Sequence, residues 1–295
     1  MDQEHSRRGA AQPEILPPGA VPIGGEPAQA RGWYPPPPPP QMRKPRHWAS
    51  APATYTLVGI NFAVYFFTLW QSHTLTAPLF NDNASQALLC NGGAVLQWGQ
   101  WWRVVSSIFV HFGWLHIGCN MWCLWNLGLL GEPLMGELGM VLAFVLTGIA
   151  GNLLSIAVHP ELPLQGGVVS AGASGAVFGI AGVLLMLLRS PLLPIPQIEL
   201  KKLRRSVWYF ALLNFVFDGG LTLVHTRVSG VPQIDNMAHL GGFISGILVG
   251  LPLLPRIGAQ RNKFIRRRGM AFAAMAFLLL LFAWGLRAAH LPAGG

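Results

Sequence analysis

Charge is scarce in this sequence. Of 295 residues only 11% are Asp, Glu, Lys or Arg, where an ordinary soluble domain carries about 25%. Hydrophobic residues make up 52%, and the mean hydropathy is +0.44. These values exclude a water-solvated globule and point to an all-α, polytopic helical membrane protein whose apolar surface is solvated by lipid. Acidic residues number only 11, leaving a net charge of +9. That excess does not point to nucleic acid, because the Lys and Arg residues gather in loops between apolar segments. Cysteine is equally sparse. Cys90, Cys119 and Cys123 make neither a disulfide framework nor a zinc pattern, and Cys119 and Cys123, one turn apart on a single helix, suit a packing role. A charged start followed by an apolar core and a cleavage site is also missing, so no signal peptide is expected.

What is present divides into four parts. Residues 1–50 are rich in Pro, Gly, Ala and Gln and contain a six-proline run, Pro35 to Pro40. Such a composition cannot bury a core and reads as a disordered or polyproline-like tail. The run also suits a cytoplasmic partner with a proline-binding module. Residues 51–255 hold six apolar stretches, near 53–70, 112–130, 139–158, 169–188, 207–225 and 237–254. A basic loop at 256–269 leads to a seventh stretch at 270–288, within a final part spanning 270–295. Each stretch is close to the roughly 20 residues that cross a bilayer as a helix. Residues 71–104 contain Asn, Asp, Gly and several Trp, and read as a long loop in the membrane interface.

Orientation follows from the basic residues. Six of the 20 Lys and Arg lie in the tail, five follow the fourth stretch and six follow the sixth. If the seven segments alternate, all of these share one side, which is cytoplasmic by the positive-inside rule. The N-terminus is then cytoplasmic and the C-terminus outside.

Three motifs on three of these stretches carry the chemistry. The first runs from His111 through His116 to Asn120, the second is Gly172-Ala173-Ser174-Gly175, and the third is Ala238-His239 with Gly242. By position along their segments, His116, Asn120, Ser174 and His239 share one layer toward the outer side, Ser174 about five residues into its stretch. Polar groups are costly in a membrane and rarely idle. A serine between glycines with a distant histidine supplies an activated nucleophile and its base. His116 and Asn120, four residues apart, share a helix face and can both donate hydrogen bonds to a developing oxyanion. They form no metal site, because no carboxylate or cysteine ligand stands with them. His111 points to another face and reads as a structural hydrogen bond in the loop.

Ala238, Gly242, Gly246 and Gly250 repeat at four-residue spacing, as do Ala171, Gly175 and Gly179. Facing stripes of this kind let helices approach closely, and Ser174 and His239 each adjoin one. Asp218 and Asp235 are acids that could orient His239, though the motif logic requires neither.

Taken together, these residues resemble the rhomboid family of intramembrane serine proteases. The resemblance rests on Trp102-Arg103, His111, His116, Asn120, Glu132 after the second segment, Gly172-Ala-Ser174-Gly175 with Gly179, and Ala238-His239 with Gly242 and Gly246. It covers about residues 53–255, a six-helix core to which the seventh segment is added. It implies a Ser174–His239 dyad without an acid, and an oxyanion hole from the Ser174 N–H with His116 and Asn120. It also implies a lateral gate near the fifth segment and transmembrane protein substrates cut near the outer surface, with no cofactor. Phe178, one turn after the serine, occupies the position packed under the catalytic histidine, where some members have Tyr. The expected setting is a bacterial inner membrane. The rival readings are a non-catalytic rhomboid-like binder, which would lack Ser174 or His239, and a transporter, which would use midplane polar residues in repeated halves.

Overall fold

The computed structural model describes residues 51–74, 83–161, 168–190, 193, 195–225, 235–254 and 261–290, without the side chains of 217–225 and 261. The proline-rich tail, the side chain of Asp218 and the segment leading up to Asp235 lie outside the described residues. Those that are described are all-α. Ten helices run in the order α1 (Pro52–Ser72), α2 (Asn83–Gln86), α3 (Gly92–Leu96), α4 (Arg103–Ser106), α5 (Trp114–Met135), α6 (Glu137–Val158), α7 (Ser174–Leu187), α8 (Gln197–His225), α9 (Asn236–Gly250) and α10 (Arg261–His290). The protein is a polytopic membrane protein. The helix α1, the helix α6 and residues Asn262–His290 of α10 are each long and apolar enough to cross a bilayer.

The helices differ from the apolar stretches in several informative ways. Short helices α2, α3 and α4 break up the expected interfacial loop; Asn91 caps α3 by accepting from the Ala94 N–H at 2.8 Å. Helix α8 begins ten residues before its apolar stretch, and α10 carries its basic lead-in, from Arg261, as helix. Polar helical turns outside the hydrocarbon leave no trace in hydropathy. Glu132 lies within α5 rather than after it, because the helix continues to Met135 and ends where Gly136 takes φ +78°. Helix α7 starts at Ser174 itself, so the serine is the first residue of its helix and not the fifth or sixth. Residues 169–173 are apolar yet not helical; hydropathy alone does not separate helix from buried irregular backbone.

Helix α7 is the centre of the molecule. Every residue from Gly175 to Leu187 is buried. Its 14 residues make a rod of about 21 Å at 1.5 Å per residue, short of the roughly 30 Å of hydrocarbon. Helices α6 and α9 pack against it through glycine. A Cβ on Gly242 would collide with the Gly175 carbonyl oxygen, one on Gly246 with the Gly179 oxygen, and one on Gly179 with Thr147 of α6. Backbone thus meets backbone along the two stripes read from the sequence.

The surrounding helices are tied by buried polar groups. Glu132 of α5 accepts from the N–H groups of Ala53 and Thr54 at 3.0 and 2.7 Å and from the Thr54 hydroxyl at 2.7 Å. This carboxylate satisfies N–H groups of the first turn of α1 and complements that helix's positive end. Helix α10 is fastened at Arg268, whose guanidinium donates to the Met135 carbonyl at 2.7 Å. Further along, Phe272 and Met275 enter the main core, and Leu279 and Leu286 pack beside Trp101 of the interfacial segment. The outer faces of α1 and α10 expose Phe66, Phe67, Trp70, Phe277, Leu278 and Trp284, as lipid-facing surfaces do. Cys119 is exposed, while Cys123 packs partly against the core.

Gly246→Val should push α9 off α7. Overpacking typically costs about 1–3 kcal/mol, and an obstacle made of backbone should bring the loss to the upper end. Gly285→Ala, where a Cβ meets nothing within 4 Å, should be neutral or stabilising. Unfolding by graded SDS in mixed micelles compares the two.

Candidate active site

The serine and the histidine meet across the α7–α9 contact. Ser174 Oγ lies 2.7 Å from His239 Nε2. His239 is the fourth residue of α9 and only 6% exposed. Phe178, one turn along α7 from Ser174, stacks on the imidazole with ring centroids 4.7 Å apart and planes at 22°. Phe178 also touches Phe215 of α8 at 4.6 Å, so α8 reaches the site through this ring.

The backbone leading into Ser174 is held from several sides. Ser170 and Cys90 exchange backbone hydrogen bonds of 3.0 and 2.7 Å, and the Gly172 N–H donates to the Ser107 carbonyl at 2.9 Å. The Ala173 N–H donates to His111 Nε2 at 3.3 Å. A ring that accepts at Nε2 carries its proton on Nδ1. Gly172 takes φ +108°, a conformation that side chains other than glycine rarely adopt. Irregular backbone at membrane depth needs such internal partners.

His116 and Asn120 flank Gly172. A Cβ built there would lie 2.7 Å from His116 Cε1, 2.8 Å from His116 Nε2 and 3.7 Å from Asn120 Nδ2. The Phe112 N–H donates to His116 Nδ1 at 3.3 Å. A neutral ring accepting at Nδ1 carries its proton on Nε2, which leaves Nε2–H as a donor beside the segment that leads into Ser174. Asn120 gives one amide proton to the His116 carbonyl at 2.9 Å and has a second to offer.

The remaining residues marked in the sequence serve the frame. Arg103 braces the interfacial segment by donating to Gln86 O and Leu89 O, both at 2.8 Å, and to Gln100 Oε1 at 2.6 Å. Trp102 precedes it and is exposed. Gly175 and Gly242 form the close contact between α7 and α9. Glu132 sits at the far end of α5, holding α1. Asn152 is a partner the motifs did not indicate. It donates to Val104 O and Ser107 Oγ, both at 2.8 Å, across 48 and 45 residues of sequence, a separation that offers no local signal. Among the described residues, no three His, Cys, Asp or Glu side chains are grouped to hold a metal.

A family model described as Rhomboid domain matches residues 98–256. The chain belongs to the rhomboid family. It is 26% identical over 226 residues to Rhomboid protease GluP of Bacillus subtilis (strain 168), covering 76% of this chain and 40% of that protein. It is 33% identical over 169 residues to RHOMBOID-like protein 5 of Arabidopsis thaliana, covering 57% and 49% respectively. With Rhomboid protease AarA of Providencia stuartii it shares 30% identity over 210 residues, 67% of this chain and 71% of that one. The chain therefore spans less than half of the first two relatives and most of the third. The rhomboid match contains all three motifs and extends from the interfacial segment to the end of α9.

Gly172→Ala should be poorly tolerated in this rhomboid fold. The new methyl meets the His116 ring, and the positive φ adds strain of about 1–3 kcal/mol. A lowered unfolding midpoint, with recovery on reversion to glycine, is the expected result.

Proposed function

We propose that the chain is an intramembrane serine endopeptidase in which Ser174 is the nucleophile and His239 the general base. The observation that carries this reading is the 2.7 Å approach of Ser174 Oγ to His239 Nε2, with Ser174 opening a helix of 14 residues. In that geometry Nε2 takes the hydroxyl proton as Oγ attacks a peptide carbonyl. The imidazolium then protonates the leaving amine, and the imidazole activates the water that hydrolyses the acyl-enzyme.

The negative charge on the carbonyl oxygen develops beside the positive end of α7. Three donors suit it: the Ser174 N–H, His116 Nε2–H and the second amide proton of Asn120. Stacking of Phe178 on His239 limits the ring's rotation, a role an acid plays in three-membered sites. No step needs a metal.

Substrates are transmembrane proteins, cleaved near the outer membrane surface at small residues where a helix unwinds easily. A hydrogen-bonded helical backbone shields its carbonyls, so a scissile bond must leave the helix first. The Lys and Arg distribution favours an orientation with the N-terminus and proline-rich tail in the cytoplasm, and the setting is a bacterial inner membrane.

The test is incubation of purified protein with a generic transmembrane substrate. Wild type should cleave it, and Ser174→Ala and His239→Ala should each reduce cleavage to background while inserting normally. Since the two act as a unit, the double variant should be little worse than either single. Substantial cleavage by Ser174→Ala would overturn the reading. His116→Ala and Asn120→Ala should lower kcat by about 10²–10³ each with little change in KM. A variant altered in KM alone would remove that residue from the oxyanion role.

A further inference from the structure

Asp235 precedes α9 and collects three donors on one carboxylate. Oδ1 accepts the Ala238 N–H at 3.0 Å, which caps the helix. Oδ2 accepts the Ser155 hydroxyl of α6 at 2.5 Å and also the Ser170 hydroxyl. Ser155 and Ser170 are 4% and 5% exposed, so these bonds are made largely out of water, where charge-assisted hydrogen bonds are strong. Ser170 is the residue bridged through its backbone to Cys90, four positions before Ser174. Asp235 is four positions before His239. One side chain thus joins the lead-in of the nucleophile to the helix start of the base, and both to α6.

The glycine contact between α7 and α9 cannot do this alone. Facing glycine stripes fix how closely two helices lie, but a smooth face resists sliding and rotation weakly. Register along the axis needs a directional bond. A shift of about 1 Å in a reacting pair can cost about 10²-fold in rate.

We propose that Asp235 is a positioning residue for the reaction. Its carboxylate clamps Ser170 and Ser155 to the start of α9 and so sets the axial register that brings His239 Nε2 onto Ser174 Oγ. The proposal rests on the dyad reading above and deepens it. Asp235 acts through the backbone of α9 and the 170–173 segment.

The experiment measures three quantities in detergent for wild type, Asp235→Ala, Asp235→Asn and Ser155→Ala/Ser170→Ala. They are kcat and KM on a generic transmembrane substrate, the rate at which a fluorophosphonate labels Ser174, and the unfolding midpoint. Asp235→Ala should lose about tenfold or more in kcat, with KM within about twofold and labelling slowed by the same factor as kcat. Asp235→Asn can still accept from Ala238 and donate to the serine hydroxyls, so it should fall between the two. If Asp235→Ala does not fold, the double serine variant, which keeps the helix cap, carries the test and should show the same parallel loss.

Wild-type kcat and labelling in a folded clamp variant would overturn the proposal, as would a change confined to KM or to the unfolding midpoint. Failure of wild type to label at Ser174 would overturn the dyad itself and this proposal with it. Labelled wild type with an unaffected clamp variant overturns the clamp alone.

Discussion

The close backbone contact between α7 and α9 is the constraint on which the rest depends. Gly242 faces the Gly175 carbonyl and Gly246 the Gly179 carbonyl with no room for a Cβ. Lipid provides no hydrophobic drive for helix association, so packing must come from shape and polar bonds. Glycine provides the shape. Once the helices are this close, a serine at the head of one and a histidine on the first turn of the other are within hydrogen-bond reach. A larger residue at either stripe would separate the two side chains before altering either.

Closeness has a second consequence. Helix α7 is wholly surrounded by protein, so it has no need to span the bilayer. It can stop at Ser174, exposing a helix N-terminus and a stretch of irregular backbone at depth. That backbone would be untenable against lipid. Here its N–H groups go to Cys90, Ser107 and His111; Asn152 holds the Ser107 hydroxyl, and Arg103 holds the carbonyl of Leu89 beside Cys90. The interfacial segment is thus part of the wall that makes a short helix admissible. Helix α10 supports this wall through Leu279 and Leu286 near Trp101, and nearer its start it is fastened to α5 by Arg268 on the Met135 carbonyl.

Much of this was legible from the chain. The all-α polytopic organisation, the three motifs and the glycine stripes all depend on local spacing, and spacing survives in one dimension. Ser174's place at the head of its helix was not legible, because Val168–Ala173 is as apolar as a helix but bonds to other segments. Glu132 was marked as a residue of interest, yet its partners Ala53 and Thr54 lie 79 and 78 positions away. Asp235 was weighed as an orienter of the imidazole. The structure gives its carboxylate to Ala238, Ser155 and Ser170, and serines 80 and 65 residues distant carry no motif of their own. Sequence pattern shows which residues are unusual; it does not show which distant carbonyl or hydroxyl they were kept for.

The histidine of the proposed dyad is held in place from two directions. An acid in a triad fixes the tautomer and angle of the histidine and stabilises its charged form. In this chain the angle is restrained by Phe178, stacked at 22°, and the position by an N-terminal turn capped at Asp235. Restraint is thus distributed over a ring and a helix start, both anchored in α6 and α7. An additional ionised group in the apolar layer is expensive unless fully partnered, whereas a ring and a capped helix turn restrain the imidazole without one. His116 and Asn120 stand beside Gly172, where a Cβ would meet the His116 ring at 2.7 Å and the Asn120 amide at 3.7 Å, so their approach to the segment before Ser174 depends on the one residue there that has no side chain.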